Sequence, residues 1–174
     1  ILTHGRSLAA FTNPSTNSYK RLLPGFEDPV KLFFGEANRS AAIRIPKYAT
    51  SEEAKRIEFR TSDGTCNYYL AMRAFLMAGL DGIRNGIKPD ERNAFGPFDD
   101  NIFDWNEEQQ SRLASIPASL EESLEALRDD HDYLLASGVF SRELIESWIE
   151  EKTKEVIAVR NRPHPFEMNL YYNL

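Results

Sequence analysis

The chain has 174 residues and a single cysteine, Cys66, so no disulfide can form within it. That excludes a disulfide-stapled secreted scaffold and points to a reducing, cytoplasmic setting. Histidine is scarce too. His4, His131 and His164 are spread along the sequence, and no two of them sit at helical metal-ligand spacing. No apolar run approaches the length that crosses a bilayer, and the start lacks the basic cap and apolar stretch of a secretory signal. No membrane role is expected. A Gly-rich phosphate loop, a dinucleotide loop and a nucleophile elbow are all missing. So is a surplus of positive charge. The net charge of -6 argues against nucleic acid as the main partner.

What is present is an ordinary globular mixture, 41% hydrophobic and 28% charged, enough for one domain or a large piece of one. The charge is uneven. Residues 1–60 hold 10 Lys/Arg against 6 Asp/Glu, and the remainder 11 against 21. The basic first third suits a small anion such as a nucleotide or a dicarboxylic amino acid, or it is simply a solvated face. The opening Ile1-Leu2-Thr3-His4-Gly5 has no Met and no capping signal, and reads as a cut through a longer chain.

The first third is rich in turn residues and short β-type runs. Residues 12–18 are polar around Pro14 and read as loop, and Pro24-Gly25 marks a turn. Residues 30–34 and 41–45 are short apolar runs that read as strands. Residues 56–60 alternate strictly. As a strand they put Arg56, Glu58 and Arg60 on one face, and Ile57 and Phe59 on the other. Helical spacing then takes over. Residues 69–87 place Leu76, Leu80, Ile83 and Ile87 on one face. Residues 90–110 read as a loop, either pinned by Phe95, Phe98, Phe103 and Trp105 or mobile. Ser119 with Glu122 forms a capping box before a buried stripe of Leu120, Leu124, Leu127 and Leu134. Ser141 opens a last helix with Ile145, Trp148, Ile149, Val156 and Val159 on its apolar face. Pro163-His164-Pro165 stops it, and the aromatic tail 166–174 is expected to pack. The class is α+β: a few mostly antiparallel strands, then several helices. So few strands leave open edges, which suggests missing neighbours.

Arg39, Arg44, Arg56 and Arg60 lie in or beside these strands. The guanidinium fork grips carboxylate and phosphate with two parallel hydrogen bonds. Glu58 among them has two readings. It neutralises the arginines as an ion pair, or it holds a divalent cation whose phosphates the arginines bind. One Glu cannot complete a metal site. Lys20, Arg21 and Glu27, across the Pro-Gly turn, are surface charges or a second polar cluster.

Several motifs resemble type I glutamine synthetases. They are Asn17-Ser18-Tyr19-Lys20-Arg21-Leu22, Pro24-Gly25-Phe26-Glu27 with Pro29-Val30, and Asn38-Arg39-Ser40-Ala41-Ala42-Ile43-Arg44-Ile45-Pro46. Arg56-Ile57-Glu58-Phe59-Arg60, Leu76-Met77-Ala78-Gly79-Leu80-Asp81-Gly82-Ile83 and Pro163-His164-Pro165-Phe166-Glu167 follow in the same order. The resemblance spans essentially the whole chain. It implies the C-terminal part of that family's catalytic domain, with residues 1–65 as a strand-rich active-site part and 66–174 as a helical part. The N-terminal domain and upstream catalytic strands would be absent.

The implied reaction joins ammonia to L-glutamate at the expense of ATP, through γ-glutamyl phosphate, with Mg2+ or Mn2+ as cofactor. By the resemblance Glu58 is a metal ligand and Arg39 stabilises the transferring phosphoryl group. Arg44 and Arg56, with Arg39, contact ATP. Arg21 and Arg60 hold glutamate or the intermediate. Glu27 lies on a flap, where it binds ammonium and accepts a proton. Family sites form between neighbouring subunits of a dodecamer, so the chain alone is expected to be inactive. Ser62 and Tyr68 replace prolines common in the family, which should loosen the turn after Arg60 and the next helix start. Phe103 stands where some bacterial members carry an adenylylated tyrosine, so that modification is not expected. Two rivals stand beside this reading: a sister ligase joining glutamate to a polyamine or other amine, and a non-catalytic assembly or regulatory relative.

Overall fold

The computed structural model of the protein describes residues 1–23, 29–89 and 95–173. A short 3-10 turn at Leu2–His4 leads into α1, Gly5–Thr12, which the turn-rich reading of this region did not foresee. The reason is physical. Seven of its eight residues are buried, so no polar face creates a helical period, and its N-cap His4 offers no side-chain cap. Gly5 lets the helix approach the sheet, since a Cβ there would stand 2.5 Å from Leu32 Cδ2.

Three strands follow: β1 (Lys31–Glu36), β2 (Ala41–Ile45) and β3 (Glu58–Phe59), in the order β1-β2-β3. The expectation of mostly antiparallel pairing needs correction. β2 and β3 are antiparallel, with Ile43 opposite Phe59 and Arg44 opposite Glu58, but β1 and β2 run parallel. Parallel neighbours ordinarily need a long crossover. Here residues 37–40 suffice. Ala37 turns with φ 60°. Buried Asn38 donates to the carbonyls of Phe98 and Asp100, and its Oδ1 accepts from the amide and hydroxyl of Ser40. The strand expected over 56–60 shrinks to its two central residues.

The far edge of β1 is not open, contrary to expectation. Phe34 exchanges backbone bonds with Phe95 and Phe98, while Leu32 N donates to Ala114 O and Ile116 N to Val30 O. Gly35 permits this approach, because a Cβ there would meet Phe98 O at 2.4 Å. Phe33, Ala41, Ile102 and Leu113 form a small core beneath, against which Phe98 and Trp105 pack. The described part of the 90–110 loop is therefore pinned by its aromatics.

α2 spans Tyr68–Arg84. Asn67 caps it, its side chain accepting from the amides of Tyr69 and Leu70 at 3.0 and 3.3 Å, so the helix starts without a proline. Asn67→Ala is expected to lower stability by about 1 kcal/mol and Tm by about 2–4 °C, with Asn67→Asp close to neutral, as read by thermal melts. The buried face is Ala71, Ala74, Met77 and Ala78. Leu76 and Ile83 of the expected stripe point outward, 62% and 77% exposed. Apart from Met77 the fully buried positions are alanines, and Leu80 of the expected stripe packs partly buried against the core.

The remaining helices are α3 (Glu107–Ser111), α4 (Leu120–Asp129), α5 (Asp132–Leu135), α6 (Arg142–Arg160) and α7 (Pro165–Tyr171). Ser119 caps α4 as expected, but Glu122 returns its bond to Ala118 N rather than to the cap residue. Leu120, Leu124, Leu127 and Leu134 are all buried, though Leu134 belongs to α5. Each fully buried leucine stabilises the fold by roughly 1.5–3 kcal/mol. Ser141 caps α6, whose Ile145, Ile149 and Val156 are buried and whose Val159 is exposed. Phe11 stacks on Trp148 and meets Phe140 at a tilt, and Trp148 Nε1 donates to Ala10 O, locking α6 to α1. The tail does not pack: Phe166, Met168, Leu170, Tyr171 and Tyr172 are exposed.

His4 is buried at the junction of α1, α2 and α4. Nδ1 lies 2.9 Å from the Asp130 carboxylate and Nε2 lies 3.0 Å from Asp81 Oδ2. Its ring stacks on Tyr133 at 3.9 Å, and Ser7 donates to Asp130. Burial works against the imidazolium, but the bonds to Asp130 and Asp81 outweigh it and raise the pKa of His4. The Asp81 carboxyl is held below its usual value, chiefly by the bond to His4.

Candidate active site

β2 and β3 place their polar residues on the sheet face away from α2. Phe59 packs edge-on against Phe75 of α2, so its neighbour Glu58 points the other way. The register sets Arg44 opposite Glu58, and the two form a half-buried pair, Nη2 to Oε2 2.6 Å and Nε to Oε2 2.8 Å. Glu58 thus pairs across the ladder and not with Arg56 or Arg60, its neighbours in sequence.

Arg60 continues from β3 and bonds its amide to Ala42 O at 2.8 Å. Its guanidinium donates to the backbone carbonyl of Arg39. Arg39 and Arg60 consequently share the rim of one hollow of about 430 Å3, with Asn38, Ser40, Asp99, Asn101 and Phe103. Arg21 is drawn to the same strand end, donating to Thr61 O at 2.5 Å and to Asn13 Oδ1 at 3.2 Å. Asp63 ties this turn to α1 through its amide and Thr12 O, and its carboxyl accepts from Thr65 N at 3.0 Å, which defines the turn after Arg60. Burial would raise the Asp63 pKa, but hydrogen bonds from Ser18 and Thr65 prevail and lower it.

Arg56 stands apart. It borders a second hollow of about 570 Å3 with Glu36, Lys47, Lys55 and the apolar Ile45, Pro46 and Ile57. The structure brings Arg39 to Arg60 and Arg44 to Glu58, but does not put Arg56 in the hollow of Arg39 and Arg60. Glu27 lies outside the described residues.

Asp99, Asn101 and Asn38 were not singled out from the sequence. Asp99 accepts from Glu36 N at 2.6 Å and lies 3.6 Å from Lys47 Nζ, so it helps shape the ground between the hollows. A lone Asp in a polar loop carries no signal of that role. Among the described residues no group of three or more His, Cys, Asp or Glu could hold a metal ion. Glu58 fits as one ligand of a divalent cation and no more, because Arg44 already engages Oε2.

Two arginines, Arg39 and Arg60, on one hollow of an α+β domain present the planar forks that suit carboxylate or phosphate groups. Residues 1–171 match the family model for the glutamine synthetase catalytic domain, and the chain belongs to that family. It is 49% identical to a Nostoc sp. glutamine synthetase over 175 aligned residues, covering 100% of this chain and 36% of the relative. An Aquifex aeolicus glutamine synthetase is likewise 49% identical, with 36% of its length covered. Among solved structures, Plasmodium falciparum glutamine synthetase superposes with a TM-score of 0.82 at 32% identity, over 99% of this chain and 40% of that one. The chain thus spans little more than a third of its relatives' length.

Proposed function

We propose that this chain is the C-terminal portion of a glutamine synthetase catalytic domain, strand-rich over residues 1–65 and helical over 66–174, in an enzyme that forms L-glutamine from L-glutamate, ammonia and ATP in the cytoplasm. What supports the reading most is the meeting of Arg39 and Arg60 on one rim, beside the Arg44–Glu58 pair, in a chain of this family. In the reaction the γ-carboxylate of glutamate attacks the terminal phosphorus of ATP, and ADP leaves. Ammonia then attacks the acyl carbon of γ-glutamyl phosphate, and phosphate leaves.

Arg39 faces the transferring phosphoryl group, where charge collects on the oxygens. Arg60 and Arg21 hold glutamate and the intermediate. Arg44 and Arg56 contact the nucleotide. Glu27 attracts ammonium and takes the proton released as the amide forms. Glu58 would hold Mg2+ or Mn2+ as one ligand among several, and the cation would supply positive charge to the phosphates. The other ligands come from further polypeptide, in the same chain or a neighbouring subunit of an assembly, so the 174 residues by themselves are expected to give no turnover.

The test is the assembled protein containing this chain, given ATP, glutamate and ammonium with Mg2+ or Mn2+. Glutamine and phosphate should appear in equal amounts. Preference for methylamine or a polyamine over ammonium would move the protein to the sister amine ligases. No ATP consumption with any amine would make it a non-catalytic relative.

A further inference from the structure

The segment between β2 and β3 carries an aromatic side chain that none of the roles above employs. Tyr48 is 70% exposed. Its side chain meets that of Arg56 in two ways. Arg56 Nη2 donates to the Tyr48 hydroxyl at 2.6 Å, and the same guanidinium carbon lies over the ring, 5.1 Å from its centroid. A third bond, Arg56 Nη1 to Ala54 O at 3.2 Å, completes a three-point hold on an exposed cation. Free exposed arginines sample many rotamers, and fixing one costs conformational entropy at each binding event. Tyr48 removes much of that cost in advance.

The hollow beside it has the matching chemistry. Lys55 and Arg56 border it beside the apolar Ile45, Pro46 and Ile57, with a third cation, Lys47, held between Glu36 at 3.8 Å and Asp99 at 3.6 Å. An apolar floor under a cationic rim suits a ligand with a flat ring at one end and phosphates at the other.

We propose that Tyr48 is a positioning residue for nucleotide binding: it holds the Arg56 guanidinium at the rim of this hollow, ready for the phosphates of ATP. The proposal rests on the glutamine synthetase reading and deepens it. Tyr48 acts through Arg56 and leaves the glutamate side untouched, so its signature is a change in KM for ATP with KM for glutamate and kcat held.

The experiment is a double-mutant cycle in the assembled enzyme. Arg56→Ala is expected to raise KM for ATP. Tyr48→Ala should raise it about 3- to 10-fold, and Tyr48→Phe, which keeps the ring and loses the hydroxyl, about 2- to 3-fold. In the Arg56→Ala background Tyr48→Ala should add nothing. If Arg56→Ala weakens ATP binding while Tyr48→Ala and Tyr48→Phe do not, or if the two effects simply add, the positioning role is wrong and the reaction assignment stands. If Arg56→Ala leaves KM for ATP unchanged in an active ligase, the nucleotide role of Arg56 falls and Tyr48's with it. If the assembled protein consumes no ATP at all, the glutamine synthetase reading itself has failed.

Discussion

Arg39→Ala in the assembled enzyme is expected to lower kcat about 10²- to 10³-fold, the usual loss when one donor to a charge-developing oxygen is removed. The fold separates this effect from disruption of its neighbour. Arg60 is held by the backbone carbonyl of Arg39, not by its side chain. Truncating Arg39 to the β-carbon therefore leaves Arg60 in place, and KM for glutamate should change little. Arg39→Lys keeps the charge but loses the planar fork, and should recover only part of the rate. Arg60→Ala should show the opposite split: KM for glutamate rises, and the Arg39 carbonyl is left to water. Steady-state kinetics with glutamate and ATP varied separately check both. A drop of less than about 5-fold in kcat for Arg39→Ala would remove it from the phosphoryl transfer step.

The second large effect is on stability. His4→Ala is expected to cost about 3 kcal/mol, because it opens a cavity at Tyr133 and strips Asp81 and Asp130 of their shared partner. The pH dependence follows from the direction of its shift. A raised folded pKa means the contribution is fully present below about pH 6.5, the unfolded value, and fades as pH rises through the folded one. The lowered Asp81 pKa acts at the acid end, its contribution present above about pH 4 and lost as pH falls through the folded value. The native protein should therefore lose Tm as pH rises beyond 6.5, and His4→Gln should flatten that limb. Buffer-matched melts from about pH 5 to 9 would show it. An equal slope in His4→Gln would assign the pH dependence to other groups.

The sequence disclosed some of this and concealed the rest, for reasons that differ from place to place. The stripe of Leu120, Leu124 and Leu127 was legible because one side of α4 faces solvent and leaves a helical period. α1 was illegible because it is buried on nearly every side, so Leu8, Ala9, Ala10 and Phe11 give no alternation. In α2 Leu76 and Ile83 drew attention to an exposed face, while the fully buried positions are mostly alanines. The parallel pairing of β1 with β2 depends on Ala37 and on the bonds of Asn38 to a loop sixty residues later in the chain, which no local pattern records. At the site, Arg39, Arg44, Glu58 and Arg60 stood out by residue type and spacing. Which pairs with which did not, because register, not adjacency, joins Glu58 to Arg44.

The bonds that close α1 into the molecule reach far along the sequence. His4 meets a partner 126 positions away, and Trp148 reaches back 138 positions to Ala10. On a ribosome adding roughly 5–20 residues per second, α1 would emerge roughly 6–25 s before its lid is made. Through that interval α1 can dock on α2 and the sheet but lacks the cover that α4 and Trp148 supply. A chaperone that shields short apolar stretches on nascent chains would find a client segment in α1.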